Sequence, residues 1–256
     1  MPLKSDSFNF IVTKENQNNK MNITPETSLG EIVKNNFRAI RVLEKYNLDY
    51  CCGGKKLFSN ICNEKGLNAE EITNELAKVE NEYVSDKFNF WPMSFLCEYI
   101  KVNHHDYLRR VFPVISQHID KVVNAHGDRY EYLPQLKEVF AKIQEELLSH
   151  MEKEERVLFP YISGMDKSYS NVAFPPFGNV ETPISVLIRE HEEAGGDIEL
   201  LKQITNNFTP PENACTTFRV TYNELEEFYK DLKIHIHLEN NILFPKAIEI
   251  ESGIRN

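Results

Sequence analysis

One sequence pattern occurs twice in the chain, and it restricts the fold more than any other feature. His-x3-Glu-x3-Leu-Phe-Pro begins at His150 and again at His235, so that Glu154 and Glu239 each follow a histidine by four residues. Residues four apart lie one turn apart on the same face of an α-helix, so each imidazole and its carboxylate can point at one object. For a single such pair, a solvated pair on a helix surface would be the simplest interpretation.

The apolar residues around both pairs favour a buried location instead. They recur at intervals of three and four, which is the spacing of core positions in a helical bundle, and both His/Glu pairs belong to the same series. The two series are Leu136, Phe140, Ile143, Leu147, His150, Glu154 and Val157, and Leu225, Phe228, Leu232, His235, Glu239 and Ile242. A buried carboxylate is costly unless its charge is compensated. Two equivalent buried pairs therefore predict a shared metal centre.

Two further helices each carry one histidine on their apolar stripe. His105 lies on a stripe that runs from Val102 to Val122, and His191 lies on one from Ile184 to Leu201. Each of these helices precedes a His-x3-Glu helix by nearly the same interval, which indicates a two-fold internal repeat. Four inward histidines and two inward carboxylates are a sufficient set for two metal ions, with each glutamate able to bridge them. Because no thiolate belongs to this set, it suits iron, although zinc, manganese and copper accept the same ligands.

Composition narrows the class of protein. The chain has 256 residues, 41% of them hydrophobic, and a net charge of −10 without a Lys/Arg-rich block, which argues against nucleic acid as the main partner. Its apolar runs are far shorter than the ~20 residues that span a bilayer, and the first residues lack the apolar segment of a signal peptide. Five cysteines, an odd number, suit a reducing compartment. We expect a cytoplasmic protein that does not enter a membrane.

Composition and periodicity divide the chain into four parts. Residues 1–26 are polar and predict a flexible arm, and residues 27–83 predict a small helical domain. Residues 84–92 form a linker, and residues 93–250 carry the four helices of the predicted metal-binding bundle. The small domain is too short to be stable easily on its own, so we expect it to pack on the bundle or on a second subunit.

The small domain contains a second chemical motif, Asp-Tyr-Cys-Cys-Gly-Gly-Lys-Lys, with adjacent cysteines at Cys51 and Cys52. Neighbouring Cα atoms across a trans peptide lie closer together than a relaxed disulfide requires, which favours two free thiols. Lys55, Lys56 and the helix predicted to follow would favour the thiolate form. Redox chemistry, metal handling and docking to a metallocluster partner are all compatible with this motif.

The remaining histidines and cysteines carry no such pattern. His118, His126 and His237 fall off the inner stripes, so we do not expect them to bind the metals. Cys62, Cys97 and Cys215 are expected to be small core or boundary residues.

Several motifs together resemble those of the iron–sulfur cluster repair di-iron proteins, over about residues 27–250. They include the Cys-Cys-Gly-Gly motif, His105-Asp106, Glu190-His-Glu-Glu-Ala-Gly195, Asn207-Phe-Thr-Pro-Pro211, Ala214-Cys-Thr-Thr217 and both His-x3-Glu motifs. The resemblance implies an all-α fold, with a small helical domain followed by a hemerythrin-like antiparallel four-helix bundle.

The resemblance also implies a cofactor and its ligands. These are two non-haem iron ions on His105, His150, Glu154, His191, His235 and Glu239, bridged by both glutamates and an oxo or hydroxo group. The chain departs from the family at its first ligand, where it has adjacent histidines, His104 and His105, and Leu108 in place of a further histidine. The positions of Asp106 and Pro113 favour His105, with His104 as the alternative.

The function implied is the repair of iron–sulfur clusters damaged by nitrosative or oxidative stress. Cys51 and Cys52 would then receive or relay iron, or contact the damaged iron–sulfur protein, and the resemblance also suggests a homodimer. Two alternatives use the same metal centre: a sensor that binds O₂ or NO reversibly, and an oxidoreductase that reduces NO. Whether the protein is an enzyme therefore stays open at this stage. A structural zinc bundle is least expected, because such sites seldom need two bridging carboxylates.

Overall fold

The computed structural model describes residues 23–24, 26–79, 88–166 and 177–255. Most of the predicted arm, residues 84–87 of the predicted linker, and part of the connection that follows the first His-x3-Glu helix lie outside these residues. The regular structure of the described residues is helical, apart from one antiparallel bridge between Ser28 and Leu57. This confirms the all-α prediction. Among the same residues, no helix combines the length and the apolar composition that crossing a lipid bilayer requires.

Between residues 26 and 79, four short α-helices make up the N-terminal unit: α1 (Leu29–Asn35), α2 (Ile40–Lys45), α3 (Phe58–Lys65) and α4 (Ala69–Leu76). Ser28 and Glu31 cap α1 reciprocally, and the Asn68 side chain accepts the backbone N–H groups of Glu70 and Glu71 at the start of α4. Asn36, whose backbone is extended, lies between α1 and α2 and ends the first helix.

In the described ranges 88–166 and 177–255, seven α-helices form the bundle. Three of its four long helices are built from two segments joined by a π-helical turn. The segments and turns are α5 (Met93–Ile100), Lys101–His105 and α6 (Asp106–His126); α7 (Leu133–Lys153), Glu154–Leu158 and α8 (Phe159–Met165); α9 (Glu181–Ile204); and α10 (Thr216–Leu238), Glu239–Leu243 and α11 (Phe244–Arg255). Helix α6 packs on α7 and α10, and α7 packs on α9.

The three π-helical turns change which residues face the core. Val102 and Val157, predicted to face inward, are 52% and 47% exposed, so that part of the prediction is wrong. Both lie within such a turn, which accommodates one more residue than an α-helical turn and rotates the positions inside it. Leu158 is buried where the uninterrupted pattern would place Val157.

Two clusters of buried apolar residues fill the interior, and the predicted metal ligands lie between them. One cluster contains core residues of α5, α8 and α11 and the first turns of α9. The other contains the remainder of α9, most of α6, α7 and α10, and the core of the N-terminal unit. The unit and the bundle therefore share one continuous core, which is how so short a helical segment buries its apolar face.

Candidate metal centre

The structure brings six predicted residues into one buried layer: His105, His150, Glu154, His191, His235 and Glu239. Their ligand atoms form two groups, and within each group all atoms lie within 4.8 Å of one another. One group has His105 and His235, the other has His150 and His191, and both carboxylates belong to both groups. Two neighbouring sites that share two carboxylates are the arrangement expected of a dinuclear centre.

The shortest contacts show how each carboxylate is shared. Oε2 of Glu154 lies 3.4 Å from Nε2 of both His105 and His150. Oε1 of Glu239 lies 3.0 Å from His235 Nε2, and Oε2 of the same residue lies 3.2 Å from His191 Nε2. Each glutamate therefore faces one histidine from each group.

Several polar atoms of this layer are buried without a hydrogen-bond partner among the described residues. They are both carboxylate oxygens of Glu154, Oε2 of Glu239 and Nδ1 of His235. An unsatisfied buried polar atom costs about 1–3 kcal/mol, and more when it is charged. Bound cations would satisfy the oxygens, and the nitrogen and oxygen donors suit iron. The residues present therefore fit a metal centre.

Three of the four histidines are oriented by an acceptor on the ring nitrogen that faces away from the carboxylates. Nδ1 lies 2.8 Å from Glu155 Oε1 in His105, 2.9 Å from Glu190 Oε2 in His150, and 2.8 Å from Asn240 Oδ1 in His191. Such acceptors fix the ring and leave Nε2 free as a ligand atom. Each of these acceptors directly precedes or follows a predicted ligand in the sequence, but no sequence pattern predicted this role for it.

The π-helical turns coincide with the predicted ligands. His105 ends the first turn, Glu154 begins the second and Glu239 begins the third. A wider turn lets neighbouring residues point to one side together. Glu154 and Glu155 thus both reach histidines, as Glu239 and Asn240 do. Such turns are frequent at functional sites.

In the absence of metal, the pKa values of two histidines of the layer and of their glutamate neighbours are shifted in opposite directions. Burial alone would lower the pKa of His105 and His150, but the neighbouring glutamates outweigh burial and raise these pKa values to about 11 and about 10. Hydrogen bonds with the same histidines lower the pKa of Glu155 and of Glu190 to about 2. Without metal, His105 and His150 are therefore protonated beside ionised glutamates.

These pKa values predict that the stability of the metal-free protein and its affinity for iron change in opposite directions with pH. A raised histidine pKa stabilises the fold below its usual 6.5, and that stability is lost as pH rises toward 10 or 11. A lowered glutamate pKa stabilises the fold above its usual 4.5, and that stability is lost as pH falls toward 2. We expect the denaturant concentration at the unfolding midpoint of metal-free protein to decrease as the pH is raised from about 6 to about 9. Iron affinity should rise over the same interval, because binding displaces histidine protons. If the stability of metal-free protein and the iron affinity changed in the same direction with pH, that result would contradict these pKa values.

The acceptors behind the histidines should also tune metal affinity. Glu190→Gln removes the charge opposite His150 while keeping an acceptor oxygen, and we expect iron affinity to fall by about 10–100-fold. Competition with a chelator measures this change. Glu192→Gln, on the same helix and exposed to solvent, is the matched control. Equal affinities in the two variants would assign no tuning role to Glu190.

His104 is buried beside the centre but belongs to neither ligand group. Its Nδ1 lies 3.0 Å from Asp231 Oδ1, and its ring stacks on that of His235 with centroids 5.6 Å apart. Of the two adjacent histidines, the structure therefore places His105 among the ligand atoms and His104 outside them.

The adjacent cysteines lie against the bundle, close to the metal centre. Cys51 is buried and Cys52 is half-buried, with their sulfur atoms 3.8 Å apart and both thiols free. The Cys52 thiol donates to the backbone carbonyl of His191 at 3.2 Å. A Cβ atom at Gly195 would lie 2.9 Å from Cys52 Sγ, so this close approach requires glycine there.

The expectation that Lys55 and Lys56 favour a thiolate is wrong for Cys51. Both lysine side chains are exposed. The hydrogen bond with Cys52 and burial raise the pKa of the Cys51 thiol well above its usual range. In metal-free protein, Cys51 is therefore a protonated thiol.

The remaining histidines and cysteines lie outside both ligand groups. His118 pairs with Glu224, and His126 contacts the exposed Cys215. His237 is fully buried against the N-terminal unit, where its ring packs on that of Tyr50. Cys62 and Cys97 are buried.

Comparison with known proteins adds independent information on both parts of the chain. Residues 100–247 match the family described as Hemerythrin HHE cation binding domain, and residues 25–80 match ScdA_N, a Domain of Unknown function (DUF542). The chain is 39% identical over 221 residues to the iron–sulfur cluster repair protein YtfE of Shigella boydii serotype 4, strain Sb227, and of Escherichia coli O8, strain IAI1. It is 38% identical to YtfE of Escherichia coli strain K12 / DH10B. Each alignment covers 86% of this chain and 96% of the relative.

Proposed function

This chain belongs to the hemerythrin family and, within it, to the iron–sulfur cluster repair proteins, and we propose that it restores damaged iron–sulfur clusters. The observation that carries the proposal is that the His/Glu layer and the cysteine thiols lie close together. Helix α9 contributes His191 to the buried His/Glu layer that fits iron, and the Cys52 thiol packs against the same helix. Iron held by nitrogen and oxygen can be surrendered to a thiolate-rich acceptor, because thiolates bind iron strongly.

The cofactor in this proposal is a pair of non-haem iron ions. His105 and His235 would hold one ion, His150 and His191 the other, and Glu154, Glu239 and an oxo or hydroxo group would bridge them. When bound, such a pair supplies one-electron redox chemistry and a source of iron.

The protein's own residues prepare this site in three ways. The apolar clusters on either side exclude water from the layer. Glu155, Glu190 and Asn240 hold histidine rings in place through Nδ1. The two shared carboxylates supply negative charge that offsets part of the charge of the bound cations.

Cys51 and Cys52 are proposed to receive or relay iron that leaves the bundle, or to contact the damaged iron–sulfur protein. Support comes from their position: the Cys52 thiol reaches the backbone of the ligand residue His191. A protein that only binds or reduces a gas at the iron pair has no need of these thiols. We further propose that the protein acts as a cytoplasmic homodimer under nitrosative and oxidative stress.

A repair assay with a purified iron–sulfur enzyme tests the function. The enzyme's cluster is damaged with nitric oxide, and recovery of its activity is followed after addition of each variant. We expect Cys51→Ala with Cys52→Ala to reduce recovery at least tenfold while the bundle keeps its iron. Cys215→Ala, which removes an exposed thiol elsewhere, should repair normally. The proposal fails if neither the double variant nor a variant with an iron-free bundle changes recovery.

A further inference from the structure

A cleft of about 420 Å³ opens beside the two thiols, between the N-terminal unit and helices α9 and α10. Asp49, Cys51 and Cys52 line it on the side of the N-terminal unit, and Gly195 and Lys233 are among the lining residues from the bundle. None of these residues belongs to the two ligand groups of the bundle. The cleft is therefore a separate chemical environment next to the metal centre.

Three potential metal-binding atoms converge at the cleft: Asp49 Oδ1, Cys51 Sγ and Cys52 Sγ all lie within 4.8 Å of one another. The two sulfur atoms are 3.8 Å apart, and Asp49 Oδ1 lies 3.0 Å from Cys51 Sγ. In a tetrahedral site with metal–sulfur bonds of ~2.3 Å, two thiolates are separated by about 3.8 Å. The thiols thus already have the spacing of a metal dithiolate.

The loop that carries these atoms is held in place by contacts other than a metal. Asp49 Oδ1 accepts the backbone N–H groups of Cys51 at 3.1 Å and Cys52 at 3.2 Å, and its Oδ2 accepts that of Gly53 at 2.8 Å. From the bundle, Asn241 Nδ2 donates to the carbonyls of Tyr50 and Cys51, both at 3.2 Å. A site that is ordered before binding loses less entropy when the metal arrives.

Lys233 adds an electrostatic argument. Its side chain is buried, with Nζ 4.7 Å from the ring centroid of Tyr50 and 5.2 Å from that of Tyr229. Within the described residues, no carboxylate forms an ion pair with it, and its hydrogen-bond partner is the Tyr229 hydroxyl at 3.4 Å. A buried ammonium group normally has an anionic partner. Two thiolates and a carboxylate around a divalent cation carry one net negative charge, which Lys233 would balance.

We propose that Asp49, Cys51 and Cys52 form a second metal site, outside the bundle, that binds one thiophilic divalent cation such as ferrous iron. Binding forms two metal–sulfur bonds and a metal–oxygen bond, and it releases the two thiol protons to solvent. With three protein ligands, a bound ion would keep a coordination position open for a thiolate from an acceptor protein, which would then remove the ion. This inference deepens the proposed function, because use of the site for iron in transit depends on cluster repair, whereas binding itself does not.

Cobalt titration of the protein as purified tests the site. Co²⁺ bound to thiolate gives an intense near-ultraviolet charge-transfer band that histidine and carboxylate ligands do not give. We expect one such Co²⁺ per chain, with release of about two protons. Cys51→Ser and Cys52→Ser should each abolish the band, and Asp49→Asn should weaken binding about tenfold. Cys215→Ser should behave as the unaltered chain.

Two glycine variants test the geometry without removing a thiol. Gly195→Ala places a methyl group 2.9 Å from Cys52 Sγ, whereas a methyl group at the neighbouring Gly196 meets open space. We expect cobalt affinity to fall at least tenfold in Gly195→Ala and to be unchanged in Gly196→Ala. Absence of the charge-transfer band in the unaltered protein, or a band that survives both cysteine replacements, would overturn the second site. Either result would leave the repair assay free to succeed, so the two proposals can fail separately.

Discussion

Replacing Glu239 by leucine is expected to remove most of the iron from the protein without unfolding it. The Glu239 carboxylate lies within 3.2 Å of a histidine from each ligand group, so its loss affects both sites at once. Loss of a supporting residue behind a ligand typically costs 10–100-fold in metal affinity, so loss of a shared ligand should cost at least about 100-fold. Removing one partner of a buried charge pair typically costs about 3–5 kcal/mol, which is less than the stability of most folded domains, so the fold should persist at reduced stability.

Iron retained per chain after dialysis against a chelator measures this effect, and circular dichroism reports the fold. Glu249→Leu, which replaces an exposed glutamate on the following helix, is the matched control. Glu154→Leu should behave like Glu239→Leu, because that carboxylate also faces both groups. Unaltered iron content in both variants would show that these carboxylates do not hold the metal.

The second large effect is expected from Gly54→Ala, which should detach the Cys-Cys loop from the bundle. A Cβ atom at Gly54 would lie 2.3 Å from Asn241 Oδ1 and 2.7 Å from the backbone oxygen of Tyr50. Neither neighbour can yield without breaking the two hydrogen bonds from Asn241 to the loop. Overpacking of this kind costs about 1–3 kcal/mol of unfolding free energy.

Denaturant unfolding and the alkylation rate of Cys52 report the two consequences of Gly54→Ala. We expect a lower unfolding midpoint together with severalfold faster alkylation, since the thiol would leave its contact with the His191 carbonyl. Gly164→Ala is the control, because a Cβ atom there would meet nothing within 4 Å. An alkylation rate equal to that of the control would show that Gly54 does not position the loop.

The sequence was sufficient to predict the helical fold and the convergence of six side chains, because both follow from the periodicity of one helix at a time. An α-helix places every third or fourth residue on one face, so His150 and Glu154 had to share a face. The same reasoning misplaced Val102 and Val157, since a π-helical turn leaves no distinctive mark in the spacing of apolar residues. At the three π-helical turns that carry predicted ligands, the spacing of apolar residues therefore does not indicate which side chains face the core.

Contacts between distant parts of the chain were beyond sequence reasoning. Asn241 binds the backbone of Tyr50 and Cys51, and Cys52 binds the carbonyl of His191. No periodicity relates these residues, so the docking of the thiols beside the metal centre emerged only from the structure. The raised pKa of Cys51 also depends on its surroundings in the fold, because the hydrogen bond with Cys52 and burial outweigh the charge of Lys233.

The most direct test of the dinuclear centre is the metal content and the Mössbauer spectrum of protein purified without added metal. The two His/Glu groups that share Glu154 and Glu239 predict two irons per chain, coupled through bridging ligands. Stoichiometric zinc, or a single iron per chain after reconstitution with excess iron, would contradict this centre.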